Sequence, residues 1–348
     1  MDIRDATRED GDELQRLQAT CPQGTALVAT VVNTPDFFGR AAVYEDHRTF
    51  VATENGRIIG SAACAVRPGL VGGEPATVGY EFQYFTALDH RRKGVAKELH
   101  RRVGDHLRDR GACLSYAIIM AGNTPSMRLF EGFGFSRHRT LSMPGLAVRK
   151  KMPVDDAAHV RRAEEDDYGV IAGLMNEAWG GHELYQPASA DSVARFVERT
   201  PGFDCDCMFV LERDGRVAAC LGFWDWGAVM RVTVKAVNLK MRLMGLFLTL
   251  TRILPSFVKA GDTLRQVMLT PVAFTDPVDL SVLVRHVNNL VFDRDVQQIF
   301  AVCEPGGDVS EGLGGFIRVD TRMHVYVSHY DTGPQLSRGP VFVDGIDL

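Results

Sequence analysis

Along the chain, apolar and polar positions form short alternating runs closed by glycine-bearing turns, with a few runs at helical spacing. Phe50–Arg57 reads as strand, Asn55-Gly56 turn and strand, and Phe209–Arg216 repeats the pattern around Asp214-Gly215. Asn-Gly and Asp-Gly suit two-residue hairpin turns, because both central residues need positive φ. Gly79–Leu88 reads as a strand; alternation places Glu81, Gln83 and Phe85 on one face and Tyr80, Phe82 and Tyr84 on the other. A helix follows over Gly94–Arg110, ended by Gly111. Cys113–Met120 is apolar enough for a buried strand, and Ser126–Glu131 for a short helix before the Gly132–Gly134 turn. A strand–helix–strand order of this kind implies a parallel pair in the sheet.

The pattern also repeats. Ile3-Arg4-Asp5-Ala6 is echoed by Val160-Arg161-Arg162-Ala163, and Asp10 by Asp167 at the same spacing. The two hairpins are a second matching pair, and Glu131–Phe135 against Glu311–Phe316 a third, in the same order. The distance between partners widens along the chain, as it would in a duplication carrying one insertion. A charged, proline-containing stretch, Arg149–Asp156, marks the boundary, so the chain divides into residues 1–152 and 158–348.

Length supports this division, since 348 residues suit two cores better than one. The formal net charge of −5 argues against a nucleic-acid partner. Seven cysteines without disulfide or zinc rhythm fit reduced thiols and a cytoplasmic setting, and no metal is expected. The N-terminus, charged from Asp2 onward, has no secretory pattern. The most apolar stretch, Lys235–Leu254, carries Lys240, Arg242 and Arg252. It reads as a helix buried between the modules or at a dimer contact, or as a lid for an apolar acceptor or a membrane-surface contact, and not as a span inserted in a membrane.

Candidate chemistry concentrates in Leu88–Leu99. A strand ends, Arg91, Arg92 and Lys93 follow, and Gly94 opens a helix whose next small residue is Ala96. The first amides of a helix lack internal partners and carry partial positive charge, so a pyrophosphate can accept several of them. Cations placed there oppose the helix dipole unless an anion resides with them.

Arg91-x-x-Gly94-x-Ala96 matches the Q/R-x-x-G-x-G/A motif, and Asn123 to Phe135 resembles the downstream segment, of the GCN5-related N-acetyltransferase (GNAT) superfamily. The resemblance implies an α/β fold of two tandem GNAT units, each a mixed, largely antiparallel sheet flanked by helices. It implies acetyl-CoA as co-substrate: Arg91, Arg92, Lys93, Gly94, Val95 and Ala96 would hold the pyrophosphate. The backbone of Phe85, Thr86 and Ala87 would bond the pantetheine arm, with Asn123, Ser126 and Phe130 beside it.

The implied reaction is acetyl transfer to a primary amine by direct attack, with a base for the ammonium and donors for the oxyanion. Glu81 stands near the position where several family members keep a glutamate base. Where the family often has a general-acid tyrosine this chain has Phe130, so Tyr116, Ser126, Tyr84 or water takes that part, or the thiolate leaves unassisted. In the second half the corresponding turn is Pro271–Asp279, with no glycine or cation; Asp276-Pro277 reads instead as an N-cap. That half is expected to keep the shape without the cofactor site. Trp224 and Trp226 line an acceptor pocket or pack at an interface. The acceptor is open: amino-sugar, polyamine, amino acid or protein amine. A non-catalytic acyl-CoA sensor is the alternative.

Overall fold

The computed structural model describes residues 1–24, 27–155, 158–250, 258–330 and 333–348. The first half runs β1 (Asp2–Asp5), α1 (Gly11–Ala19), β2 (Leu27–Asn33), β3 (Asp46–Glu54), β4 (Arg57–Val71) and β5 (Glu74–Thr86). It continues with α2 (Val95–Asp109), β6 (Leu114–Met120), α3 (Thr124–Gly132) and β7 (Ser136–Ala147). The second half runs β8 (His159–Arg162), α4 (Tyr168–Trp179), α5 (Ala190–Arg199), β9 (Met208–Arg213) and β10 (Arg216–Asp225). Then come β11 (Met230–Val237), α6 (Leu239–Leu250), β12 (Thr263–Leu264), β13 (Gln266–Phe274), α7 (Pro277–Phe292), β14 (Gln298–Phe300), α8 (Asp308–Gly312) and β15 (Arg318–His329).

The duplication is visible in side chains. Arg4 grips both Asp10 oxygens at 2.7 Å, and Asp10 accepts the Thr7 amide at 2.7 Å. Arg161 grips Asp167 at 2.6 and 2.8 Å, and Asp167 accepts the Glu164 amide at 2.8 Å. Each carboxylate ties the first strand of its half to the helix that follows. Both hairpin turns take the expected left-handed pairs, Asn55-Gly56 at φ 53° and 77° and Asp214-Gly215 at 50° and 74°.

The halves do not close separately. One sheet of twelve strands among the described residues has the order β1-β3-β4-β5-β6-β15-β7-β14-β13-β10-β9-β8. β15, from the second half, lies antiparallel between β6 and β7. β7, from the first half, lies antiparallel to β14. Each half thus receives a strand from the other, and the pairs Met323–Met120 to His329–Leu114 cover the edge that β6 would otherwise expose.

The widening spacing has a structural cause. Gly72-Gly73 joins β4 to β5, whereas β11, α6 and β12 are interposed between β10 and β13. β11 pairs antiparallel with β2 from Met230–Asn33 to Val237–Leu27, forming a small second sheet with β12. The helix expected over Lys235–Leu254 is therefore corrected. Residues to Val237 are strand because a β-branched run finds β2 as partner, and α6 begins at Leu239. Residues 251–254 of that expectation, and Asp156 of the expected boundary, lie outside the described residues.

The donated strand predicts that residues 1–152 expressed alone give no cooperative thermal transition by circular dichroism, while co-expression with 158–348 restores one. A cooperative melt of the isolated fragment would sink this. The Arg4 hydrogen bond pulls the Asp10 carboxyl down to about 2. A depressed carboxyl stabilises the fold above its unfolded value near about 4, and the gain disappears as pH falls through about 2. The shift corresponds to at most about 2–3 kcal/mol, reduced toward about 1 because the Arg4 side chain is 42% exposed. Asp10→Asn should flatten the acid limb of the stability curve.

Candidate active site

β5 pairs with β6 in parallel only at Val78–Leu114, Gly79–Ser115 and Tyr80–Tyr116; beyond Tyr80 the strands separate. The backbone of β5 from Glu81 onward thus faces a gap, an edge to which an extended chain can add. Opposite, β4 holds β5 in a shifted register: Ser61 faces Phe85 and Ala63 faces Phe82. The extra residue is Gln83, at φ 55°. This bulge overturns the expected alternation: Tyr84 shares the Glu81 face, while Tyr80 and Phe82 stack together on the other.

α2 packs Leu99, Val103 and Leu107 over β4 and β5. Gly60 and Gly79 make this approach possible, since a Cβ at Gly79 would stand 2.6 Å from Leu107, and one at Gly60 2.7 Å from Val95. The helix starts at Val95, one residue after the expected Gly94, because Gly94 is its left-handed cap at φ 86°. Glu98 makes the first helical bond, to the Gly94 carbonyl at 3.1 Å. The Val95, Ala96 and Lys97 amides before it have no acceptor within the helix. Arg92 also sits at φ 63°, a conformation costing about 1–2 kcal/mol for a residue with a side chain. Arg91, Arg92 and Lys93 are exposed and have no ion-pair partner among the described residues. Arg91 leans back toward the Thr86 carbonyl at 3.5 Å. At the far end Gly111, at φ 78°, and Ala112 cap the Arg108 and Leu107 carbonyls, as the sequence predicts.

Glu81 is buried under α2. The Tyr84 hydroxyl donates to its Oε2 at 2.6 Å, and His100 Nδ1 lies 3.0 Å from the same atom. Glu81 Oε1 is buried and has no partner among the described residues. His100 stacks on Phe133 at 4.1 Å, and the Tyr84 ring stands edge-on to Phe130 at 5.2 Å. Burial, then Glu81, raises the Tyr84 hydroxyl well above its ordinary value. Asn123 caps α3, accepting the Ser126 amide at 3.4 Å, and both are half-buried. Phe130 is buried among Tyr84, Phe133 and Phe135.

Tyr116 does not join this group. It stacks on Tyr80 at 4.9 Å and accepts from Arg67 at 3.1 Å, on the face away from α2. There Arg67 reaches both Asp347 oxygens at 2.9 Å, Tyr44 donates to Asp347 at 2.9 Å, and Tyr80 donates to its carbonyl. No local pattern announces this cluster, whose partners stand as many as 303 positions apart. His100 likewise sits in an ordinary helical pattern and becomes notable only beside Glu81.

The second half shows the contrast. β13 pairs with β14 from Gln266–Gln298 to Met268–Phe300 and then separates in the same way. A cavity of about 280 Å³ opens there, lined by Trp179, Leu269, Val272 and Val302 and by Val341–Gly345 passing alongside. At the helix start, Asp276 accepts the Val278 amide at 2.8 Å and Pro277 has no amide to give. The chain itself supplies the anion. Trp224 and Trp226 pack inward, the first donating to the Pro201 carbonyl at 2.9 Å, the second stacked on Phe300.

This sheet, opening beside a glycine-capped helix, superposes on solved acyltransferase structures. Residues 12–135 match the acetyltransferase (GNAT) family model. Saccharomyces cerevisiae N-myristoyltransferase with bound myristoyl-CoA superposes with a TM-score of 0.66 at 11% identity, covering 95% of this chain and 84% of that one. A GCN5-related N-acetyltransferase from Sphaerobacter thermophilus gives 0.57 at 13%, covering 96% and 97%. Both similarities span the two halves and show a tandem GNAT-like fold. No curated protein matches the sequence.

Close packing under the turn yields a prediction. Gly60→Ala would force its Cβ against Val95 and the Phe85 carbonyl. Overpacking of this kind costs about 1–3 kcal/mol, measured as a lower denaturation midpoint. An unchanged midpoint would show that α2 can move away freely.

Proposed function

We propose that residues 1–152 form a module that binds acetyl-CoA and acetylates a primary amine by direct attack in a ternary complex, and that residues 158–348 form a GNAT-like module lacking the pyrophosphate site. One observation carries this reading. The first-half helix opens on Gly94 with uncapped amides and unpaired cations, where the second-half helix carries its own carboxylate. The pyrophosphate would take the Val95 and Ala96 amides and the charges of Arg91, Arg92 and Lys93. Pantetheine would lie along Phe85 to Ala87, between the separating strands.

Glu81, at the point of separation and with one oxygen unpartnered, takes the ammonium proton through water. Of the candidates for protonating the thiolate, Tyr84 fits best. It abuts Phe130 and stays protonated, whereas the Tyr116 hydroxyl accepts from Arg67 on the other face. Acceptors are primary amines, on a small molecule or a protein.

Calorimetry with CoA tests the binding step. Gly94→Glu should weaken it about tenfold or more, because the strained residue pushes the turn out of its left-handed geometry and its carboxylate repels the phosphates; unchanged affinity would refute the site. Thiol release from acetyl- and myristoyl-CoA over an amine panel tests turnover. Glu81→Gln should lower kcat by about 10²–10⁴-fold with CoA affinity retained. Tyr84→Phe should lower kcat, and Phe130→Tyr in that background should recover it. The Phe130 substitution favours a second reading, an acyl-CoA sensor, which binding without turnover on every amine would establish.

A further inference from the structure

α6 turns an apolar face outward. Leu239, Leu243, Leu246 and Leu250 recur at helical spacing and are 69, 59, 57 and 73% exposed, while Gly245 on the opposite side is buried. Soluble proteins seldom leave a contiguous leucine stripe in water. This one stands on an element with no counterpart in the first half, where two glycines make the same connection. The sheet does not require it.

Charge identifies what covers the stripe. From Met230 to Gly261 the sequence carries six cations and no carboxylate, in a chain whose net charge is −5. Arg231, Lys235, Lys240, Arg242 and Lys259 are exposed, and none has an ion-pair partner among the described residues. The arginines of α5 differ, since Arg195 and Arg199 both meet Glu45. No helix among the described residues is long and apolar enough to cross a membrane. Leucines beside unpaired cations suit a surface with apolar depth and negative headgroups. A second copy of this acidic chain would bring like cations together across a twofold contact.

We propose that the β11–α6 arm docks the protein on anionic lipid surfaces, with α6 lying in the plane of the headgroups and its leucines entering the acyl boundary. The arm pairs with β2 of the first half, so docking would hold that half at the membrane. The inference is independent of the catalytic reading.

Flotation of the full chain with vesicles tests it. The protein should float with phosphatidylcholine–phosphatidylserine vesicles and not with phosphatidylcholine alone, and salt should release it. Lys240→Glu with Arg242→Glu should lower the partition coefficient by roughly fivefold or more per charge. Leu243→Asp with Leu246→Asp should abolish flotation, with the thermal transition and CoA affinity unchanged. Failure to float with the anionic vesicles would overturn the proposal, as would flotation indifferent to charge reversal. So would light scattering that shows a wild-type dimer converted to monomer by the leucine substitutions, because the face would then belong to a second copy.

Discussion

Everything else rests on the ladder at the centre of the sheet, where β15 enters between β6 and β7 and β7 reaches across to β14. A strand edge left open exposes a row of unpaired amides and carbonyls. Each half solves this with a strand from the other, so two copies of one motif became a single sheet. The exchange also fixes geometry at the candidate site. With β15 holding the far side of β6 along its length, β6 can leave β5 after three paired residues without unravelling. The opening between β5 and β6 is therefore a rigid feature bounded by hydrogen-bonded strands.

The two openings of the sheet show how one scaffold leaves a helix start uncapped or caps it with its own side chain. In both halves a strand ends, a turn follows and a helix begins over the separating pair. Gly94 leaves the first amides of α2 without a side-chain cap, and three exposed cations, Arg91, Arg92 and Lys93, precede it in the chain. Asp276 and Pro277 satisfy or remove the corresponding amides of α7. The second helix needs no partner, and the cavity beside it is bordered by the passing segment Val341–Gly345. An identical backbone plan thus places one electrostatically incomplete helix in the first half and a self-contained one in the second.

Burial sorts the candidate catalytic groups in the same way. Glu81, Tyr84 and His100 share one face of β5 with the aromatic rings of α3 and its following turn. Tyr116 and Tyr80 share the other with Arg67 and Asp347. Neighbours in sequence are separated by the full thickness of the sheet, and the Gln83 bulge decides on which side Tyr84 falls.

What the sequence determined by itself was whatever depends on neighbours a few residues apart. Asn55-Gly56 and Asp214-Gly215 specify their turns, Gly111 ends α2, Asp276-Pro277 starts α7, and Gly94 opens α2 without a side-chain cap, because each rests on local φ/ψ or on a helix's own unsatisfied amides. The repeated Arg4–Asp10 and Arg161–Asp167 pairs made the duplication legible for the same reason. Tertiary structure decided the rest. Strand exchange, the pairing of β11 with β2, the reversal of Tyr84 by a one-residue bulge and the Arg67–Asp347 cluster all depend on partners distant in the chain, and strand patterns alone do not say which edge a strand will join. A period-two pattern survives any pairing, so only the folded sheet selects one.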